Sequence, residues 1–280
     1  MSSPTEVFAV DGVSYSYLDR FVALRDVTLR VRSGSRVALL GANGCGKSTM
    51  LKLLAGLIVA AEGCVRAFGA DLTERALDDD QFARAFRARV GFVFQNSDAQ
   101  LFSPTVRDDL AFGPLHLGFE RAEVDRRIAD VLSLLGIDGL ADRAPYQLSG
   151  GEKKRVAIAS VLITNPDVLL FDEPTAALDP RTQQWLLELV VDLHRAGKTI
   201  VSATHDLDTL EQIADTCVVM SEDHRIVATG TPAEILGDRD LLEMTNLVRA
   251  RERAPRSRTR SHLRAIERDE THAHRKECER

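Results

Sequence analysis

The octapeptide Gly41-Ala-Asn-Gly-Cys-Gly-Lys-Ser48 constrains the fold more than any other feature of the chain. An apolar run at 37–40 precedes it and a helical pattern at 47–57 follows. Glycines at this spacing let successive backbone N–H groups curve around an anion without Cβ clashes. The helix start that follows adds the positive end of its dipole. The pattern G-x-x-x-x-G-K-[ST] between a strand and a helix predicts a phosphate cradle made by Gly41, Ala42, Asn43, Gly44, Cys45 and Gly46. Lys47 supplies a point charge for the terminal phosphates, the Ser48 hydroxyl can ligate Mg2+, and Thr49 continues the helix.

The same strand-then-helix rhythm recurs. Runs at 90–94, 168–171, 199–202 and 217–220 are short and mainly apolar without strict alternation, as buried strands covered on both faces are. Helical patterns at 183–196 and 207–214 follow two of them, which predicts a mostly parallel α/β core. The segment 8–31 alternates apolar and polar residues instead, as an antiparallel layer with one buried face does. Residues 120–162 are helix-rich, with apolar positions at helical spacing in 121–135, and predict a helical insertion spanning roughly 96–165.

Two further elements carry chemistry. The run Val168-Leu-Leu-Phe ends in Asp172-Glu173, at the strand end where open α/β sheets bind ligands. Asp172 there suits a Mg2+ shell, and Glu173 suits a base that orients and deprotonates water. Leu148-Ser-Gly-Gly-Glu152 opens a helix about twenty residues before that strand. Its free backbone N–H groups form a second anion surface.

Charge is divided unevenly. Residues 249–280 hold eleven Lys/Arg against six Asp/Glu, a net of +5, which leaves −11 on the rest of the chain. An acidic body is a poor match for a nucleic-acid backbone. The basic tail reads as solvated and disordered. Its His262, His272 and His274 include a His-x-His pair of metal-binding type, for which an untethered polar tail is the plainer reading. No charge-free apolar run reaches the ~18–20 residues of a membrane span, and residues 1–11 carry no leader pattern. Cys45, Cys64, Cys217 and Cys278 are too far apart for a CxxC cluster and suggest a reducing compartment.

In order, Tyr17, the glycine loop, Gln95, Leu148–Glu152, Asp172-Glu173-Pro174, Ala177-Leu178-Asp179 and His205 form a set that resembles the ATP-binding cassette family over roughly residues 7–247. The resemblance implies an α/β fold of the P-loop NTPase (RecA-like) type, with an N-terminal antiparallel β-layer and a helical insertion subdomain. It implies ATP hydrolysis with Mg2+, a second cassette subunit as partner, and integral membrane transporter subunits. It places the chain peripherally on the cytoplasmic face of the membrane, without nucleic acid as a partner. Tyr17 is similar to the aromatic that stacks on adenine, with Tyr15 as its rival. Gln95 is similar to the residue that reaches Mg2+ and the water and senses the membrane partner. Ser149 and Gly151, flanking Gly150, are similar to the groups that meet the γ-phosphate held by the opposite subunit. Asp179 is similar to the residue that links the two sites, and His205 to the histidine that contacts the γ-phosphate and steadies Glu173.

The stretches 95–102, 104–106, 111–114 and 149–159 resemble the ATPase subunits of energy-coupling-factor importers, most closely the cobalt/nickel type, with the vitamin type as the alternative. Soluble cassette ATPases of translation or DNA repair differ by a second cassette or a long coiled coil, and neither pattern occurs here. Two residues depart from the family pattern. Glu152 stands where Gln is commonest, and Cys45 where Ser is common. A thiol inside the cradle is expected to be alkylated with loss of hydrolysis, and ATP to protect it.

Overall fold

The computed structural model describes residues 5–248. The chain runs β1 (Glu6–Tyr17), β2 (Phe21–Arg32), β3 (Arg36–Leu40), α1 (Lys47–Leu54), β4 (Glu62–Ala67), β5 (Ala70–Asp71), α2 (Glu74–Asp78), α3 (Asp80–Arg89) and β6 (Val90–Val93). The helices α4 (Val106–His116), α5 (Arg121–Leu134) and α6 (Gly150–Leu162) follow. Then come β7 (Val168–Asp172), α7 (Pro180–Arg195), β8 (Thr199–Thr204), α8 (Leu210–Ile213), β9 (Thr216–Met220), β10 (Ile226–Gly230), α9 (Pro232–Gly237) and α10 (Arg239–Met244).

The alternating N-terminal segment forms the expected antiparallel layer, in the order β2-β1-β4-β5. The continuous apolar runs form a second sheet, ordered β10-β9-β3-β8-β7-β6. Strands β9 to β6 run parallel, and β10 closes one edge antiparallel. Both faces are covered. Along β3, Val37 and Leu39 pack with the β-layer and α1, while Ala38 and Leu40 face the helices of the other side. Full burial of such side chains contributes about 1.5–3 kcal/mol each and explains why these strands carry no polar alternation. Helices α4 to α6, between β6 and β7, share the apolar cluster of that second face.

Register sets the site. Leu40 lies opposite Thr204, Asp172 opposite Ala203, and Val93 opposite Phe171. Four parallel strands therefore finish within two residues of one another, and Gly41, His205, Glu173 and the segment through Gln95 all emerge along one sheet edge.

Several boundaries depart from the sequence reading for local reasons. The helix expected to reach 57 ends at Leu54, because Gly56 takes φ +64° and closes a Schellman turn. In it Gly56 N–H donates to Leu53 O at 3.0 Å and Leu57 N–H to Lys52 O at 2.9 Å. The helix expected at 207–214 shrinks to α8, since Asp206 Oδ1 accepts Asp208 N–H at 3.0 Å and holds a turn there. Helix α7 begins earlier than expected, at Pro180, with Asp179 as its cap. The tail with its three histidines lies outside the described residues.

Candidate functional site

Gly46 shows why the loop needs glycine. It takes φ +111°, and a Cβ there would sit 2.2 Å from the Ala23 carbonyl oxygen. Lys47 opens α1 with 5% exposure, and its Nζ donates to Gly41 O at 2.8 Å and Ala42 O at 3.2 Å. The same ammonium lies 3.4 Å from Glu173 Oε1, without the alignment of a hydrogen bond.

Glu173 follows β7 in the left-handed region, at φ +43°. Such a conformation costs about 1–3 kcal/mol in a residue with a side chain. Its N–H still donates to Ala203 O at 2.9 Å, so the neighbouring strand holds the backbone while the side chain turns toward the loop. His205, one residue past β8, brings Nδ1 to 2.9 Å from Glu173 Oε2. A carboxylate only accepts, so Nδ1 carries the proton. Glu173 Oε1 is buried and has no hydrogen-bond partner among the described residues. The carboxylate is thus held at Oε2 by His205, while Oε1 faces the Lys47 ammonium without a hydrogen bond.

Ser48 Oγ donates to Asp172 Oδ1 at 2.8 Å. Burial pushes the Asp172 carboxyl above the usual carboxylate range, against the pull of that hydroxyl. A hydroxyl and a carboxylate side by side are hard oxygen donors of the kind Mg2+ takes, and the glycine loop beside them suits phosphate. Together with the orphaned Glu173 oxygen, the residues fit both a triphosphate and its cation.

A cleft of about 470 Å³ joins these groups to an aromatic wall. Tyr17, Phe21, Val22, Asn43, Gly44, Lys47, Ser48, Thr49, Gln95 and Glu173 are among its lining residues. Tyr17 reaches the loop helix, its hydroxyl 3.3 Å from Thr49 Oγ1. Tyr15 stands edge-on to Tyr17 at 5.1 Å and packs against the β-layer core instead. Phe21 and Val22, at the other end of the hairpin turn, were not anticipated. Their only signal in the sequence is that they are apolar residues beside a turn.

Cys45 requires a correction. Its side chain is 1% exposed and belongs to the cluster beneath the loop, and burial pushes its thiol above the ordinary value. A buried, protonated thiol is a poor nucleophile, so alkylation in the folded chain is not expected. Its backbone N–H donates to Ala42 O at 3.3 Å.

The second anion surface lies elsewhere. Ser149 caps α6 through a reciprocal box with Glu152: Ser149 N–H and Oγ both donate to Glu152 Oε2 at 2.8 Å, and Glu152 N–H donates to Ser149 Oγ at 3.4 Å. The Ser149 N–H foremost, then its hydroxyl, holds the Glu152 carboxyl below its usual range. Gly151 packs tightly, since a Cβ there would sit 2.8 Å from Thr182 Oγ1. Asp179 accepts from Thr182 Oγ1 at 2.6 Å, Arg181 N–H at 3.0 Å and Thr182 N–H at 3.1 Å. Ser149, Gly150, Gly151 and Asp179 line one hollow, which shares no residue with the loop cleft.

Comparison with known proteins places this geometry. A family model described as ABC transporter matches residues 24–176. The chain is similar to a nickel import ATP-binding protein of Rhodobacter capsulatus, 48% identical over 247 residues, covering 87% of this chain and 96% of that protein. Its fold is similar to cbiO1 of Clostridium perfringens, described as part of the ABC transporter complex cbiONQ, with TM-score 0.72 and 33% identity over 86% of this chain and 95% of that one. It is also similar to a dimeric ATP-binding cassette in a post-hydrolysis state bound to ADP and Pi, with TM-score 0.72 and 28% identity over 80% of this chain and 98% of that one.

Proposed function

The chain belongs to the ABC transporter family as an ATP-binding subunit, and on that premise we propose that it drives import of nickel or cobalt ions through membrane partners of the energy-coupling-factor type. It is an ATPase coupled to transport. The observation that carries the fuller reading is the separation of two half-sites. The loop cleft holds Glu173 and Lys47 but has no signature turn, and the signature hollow has the turn but neither of these two residues. Two cassettes, identical or paralogous, complete each site by lending the half that the other lacks.

In this reading Gly41 to Ser48 cradle the triphosphate and Lys47 neutralises its terminal charge. Tyr17 stacks on the base. Ser48, Asp172 and Gln95 would hold Mg2+, which supplies charge neutralisation on the phosphate oxygens when bound. Glu173 takes the water's proton at Oε1, while His205 keeps Oε2 fixed. The N–H groups of Ser149 to Gly151 meet the γ-phosphate from across the interface, and Asp179 links the two sites. Hydrolysis turns one anion into two that repel, and the pair opens. That motion is passed to the membrane subunits through the helical insertion near Gln95.

The import reading draws on the nickel relative and on the likeness at 95–114, and vitamin uptake is its alternative. No helix among the described residues is long and apolar enough to cross a membrane, so attachment to the cytoplasmic face would come through integral partners. Glu173→Gln tests the chemistry. It should bind ATP normally and accumulate as a nucleotide-bound dimer, with turnover reduced by about 10²–10⁴-fold. Wild-type turnover in that variant would remove Glu173 from its role.

A further inference from the structure

Lys154 lies within the first turns of α6, yet it is 3% exposed. Its Nζ donates to a backbone carbonyl, that of Phe94, at 3.3 Å. Lysines are almost never buried without a partner that needs them. Burial pushes this ammonium down to about 8, opposed by the Asp172 charge.

Phe94 is the first residue past β6, and Gln95 follows it. The ladder to β7 stops there: Val93 still pairs with Phe171, but Phe94 has both backbone groups claimed from the other side. Its carbonyl takes the Lys154 ammonium, and its N–H donates to Gln100 Oε1 at 3.2 Å. Gln100 is itself anchored, Nε2 donating to Ala157 O at 2.7 Å and Ser160 Oγ at 3.0 Å. On the outer side Lys153 Nζ meets Asp98 Oδ1 at 2.6 Å. All of these anchors belong to α6, the helix whose first turn is Ser149 to Gly151.

We propose that Lys154 is a positioning residue which, with Gln100, locks the Gln95 loop to the signature helix, so that docking of the partner's triphosphate on Ser149 to Gly151 and the reach of Gln95 are one motion. The inference rests on the role given above to Gln95 and deepens it. Without the lock, α6 could still take up its place on the γ-phosphate while Gln95 lagged behind. Nucleotide affinity at the loop cleft would survive and turnover would fall.

The test is a double-mutant cycle on the full chain in its assembled complex, read as kcat, KM and ATP affinity. Lys154→Met should lower kcat about five- to thirtyfold, with affinity and KM within about twofold of wild type. In a Gln95→Ala background the same change should cost nothing further, because Lys154 acts through Gln95. Gln100→Leu removes the other anchor without touching the buried cation. It should repeat both results, and it decides the matter if Lys154→Met does not fold. Losses that multiply across the cycle, or a rise in KM at constant kcat, would overturn the lock while leaving Gln95 its role. Wild-type kcat in Gln95→Ala alone would overturn that role, and the lock with it.

Discussion

The two half-sites of this cassette are built on opposite principles. In the loop cleft the charged groups are buried: Lys47, Asp172 and Glu173 are each under 8% exposed, and each is fixed by the sheet edge or by another side chain. In the signature hollow Ser149 and Asp179 are exposed, and the polar groups satisfy one another, as in the Ser149–Glu152 box and in the cap that Asp179 makes with the buried Thr182. Burial makes the first half a site whose charged groups are held in place before nucleotide arrives. Exposure makes the second half a surface that can come and go.

The comparison breaks most visibly at Lys47. Removing one partner of a buried ion pair leaves the other uncompensated, so Lys47→Ala should destabilise the fold by about 3–5 kcal/mol in calorimetry. It should also lose nucleotide affinity by titration, and unchanged binding would contradict the cradle. The matching change on the exposed half is milder. Ser149→Ala removes a helix cap and should cost about 1 kcal/mol, with ATP binding to the isolated chain unaltered. A large loss of binding there would mean that the halves are not separable.

Cysteine labelling sharpens the contrast without mutation. Cys64 is exposed, whereas Cys45 and Cys217 are buried with raised thiol values, the latter to about 12. Peptide mapping after brief alkylation should find label on Cys64 and none on Cys45 or Cys217 until the chain is unfolded. Equal labelling of Cys45 in the folded chain would restore the thiol as a handle in the cradle.

The smallest effect is expected at Glu152. Glutamine can close the same capping box, so Glu152→Gln should change stability by a few tenths of a kcal/mol at neutral pH. The folded value of Glu152 is depressed below its ordinary 4.5. Its contribution is therefore present above that pH and is lost as pH falls through the depressed folded value. Wild type should lose stability relative to the Gln variant only in acid, and a wild type that gains on the variant as pH falls would contradict the box.

How much of this was legible beforehand follows from physics of different range. The glycine loop, Asp172-Glu173 and Leu148–Glu152 are local backbone devices, so the residues at fixed offsets carried the information. The parallel core was legible because full burial erases polar alternation. Tyr17 could not be separated from Tyr15, because β1 shifts register between Val13 and Tyr15 and again before Ser16, so counting alternate residues fails there. The direction of Cys45 depended on the positive φ values of Gly44 and Gly46 around it. No local pattern marks Lys154 as buried, because its partner carbonyl lies sixty residues away along the chain. Helices α9 and α10 and strand β10 had caps and alternation of their own, but weak apolar patterns.

The central claim is that nucleotide sits between the loop of one cassette and the signature turn of another. A structure of Glu173→Gln loaded with ATP in its closed, paired form tests it directly. Ser149 to Gly151 of each cassette should rest on the triphosphate bound at the other's Lys47. A closed pair with those residues turned away from the neighbouring triphosphate would contradict the account.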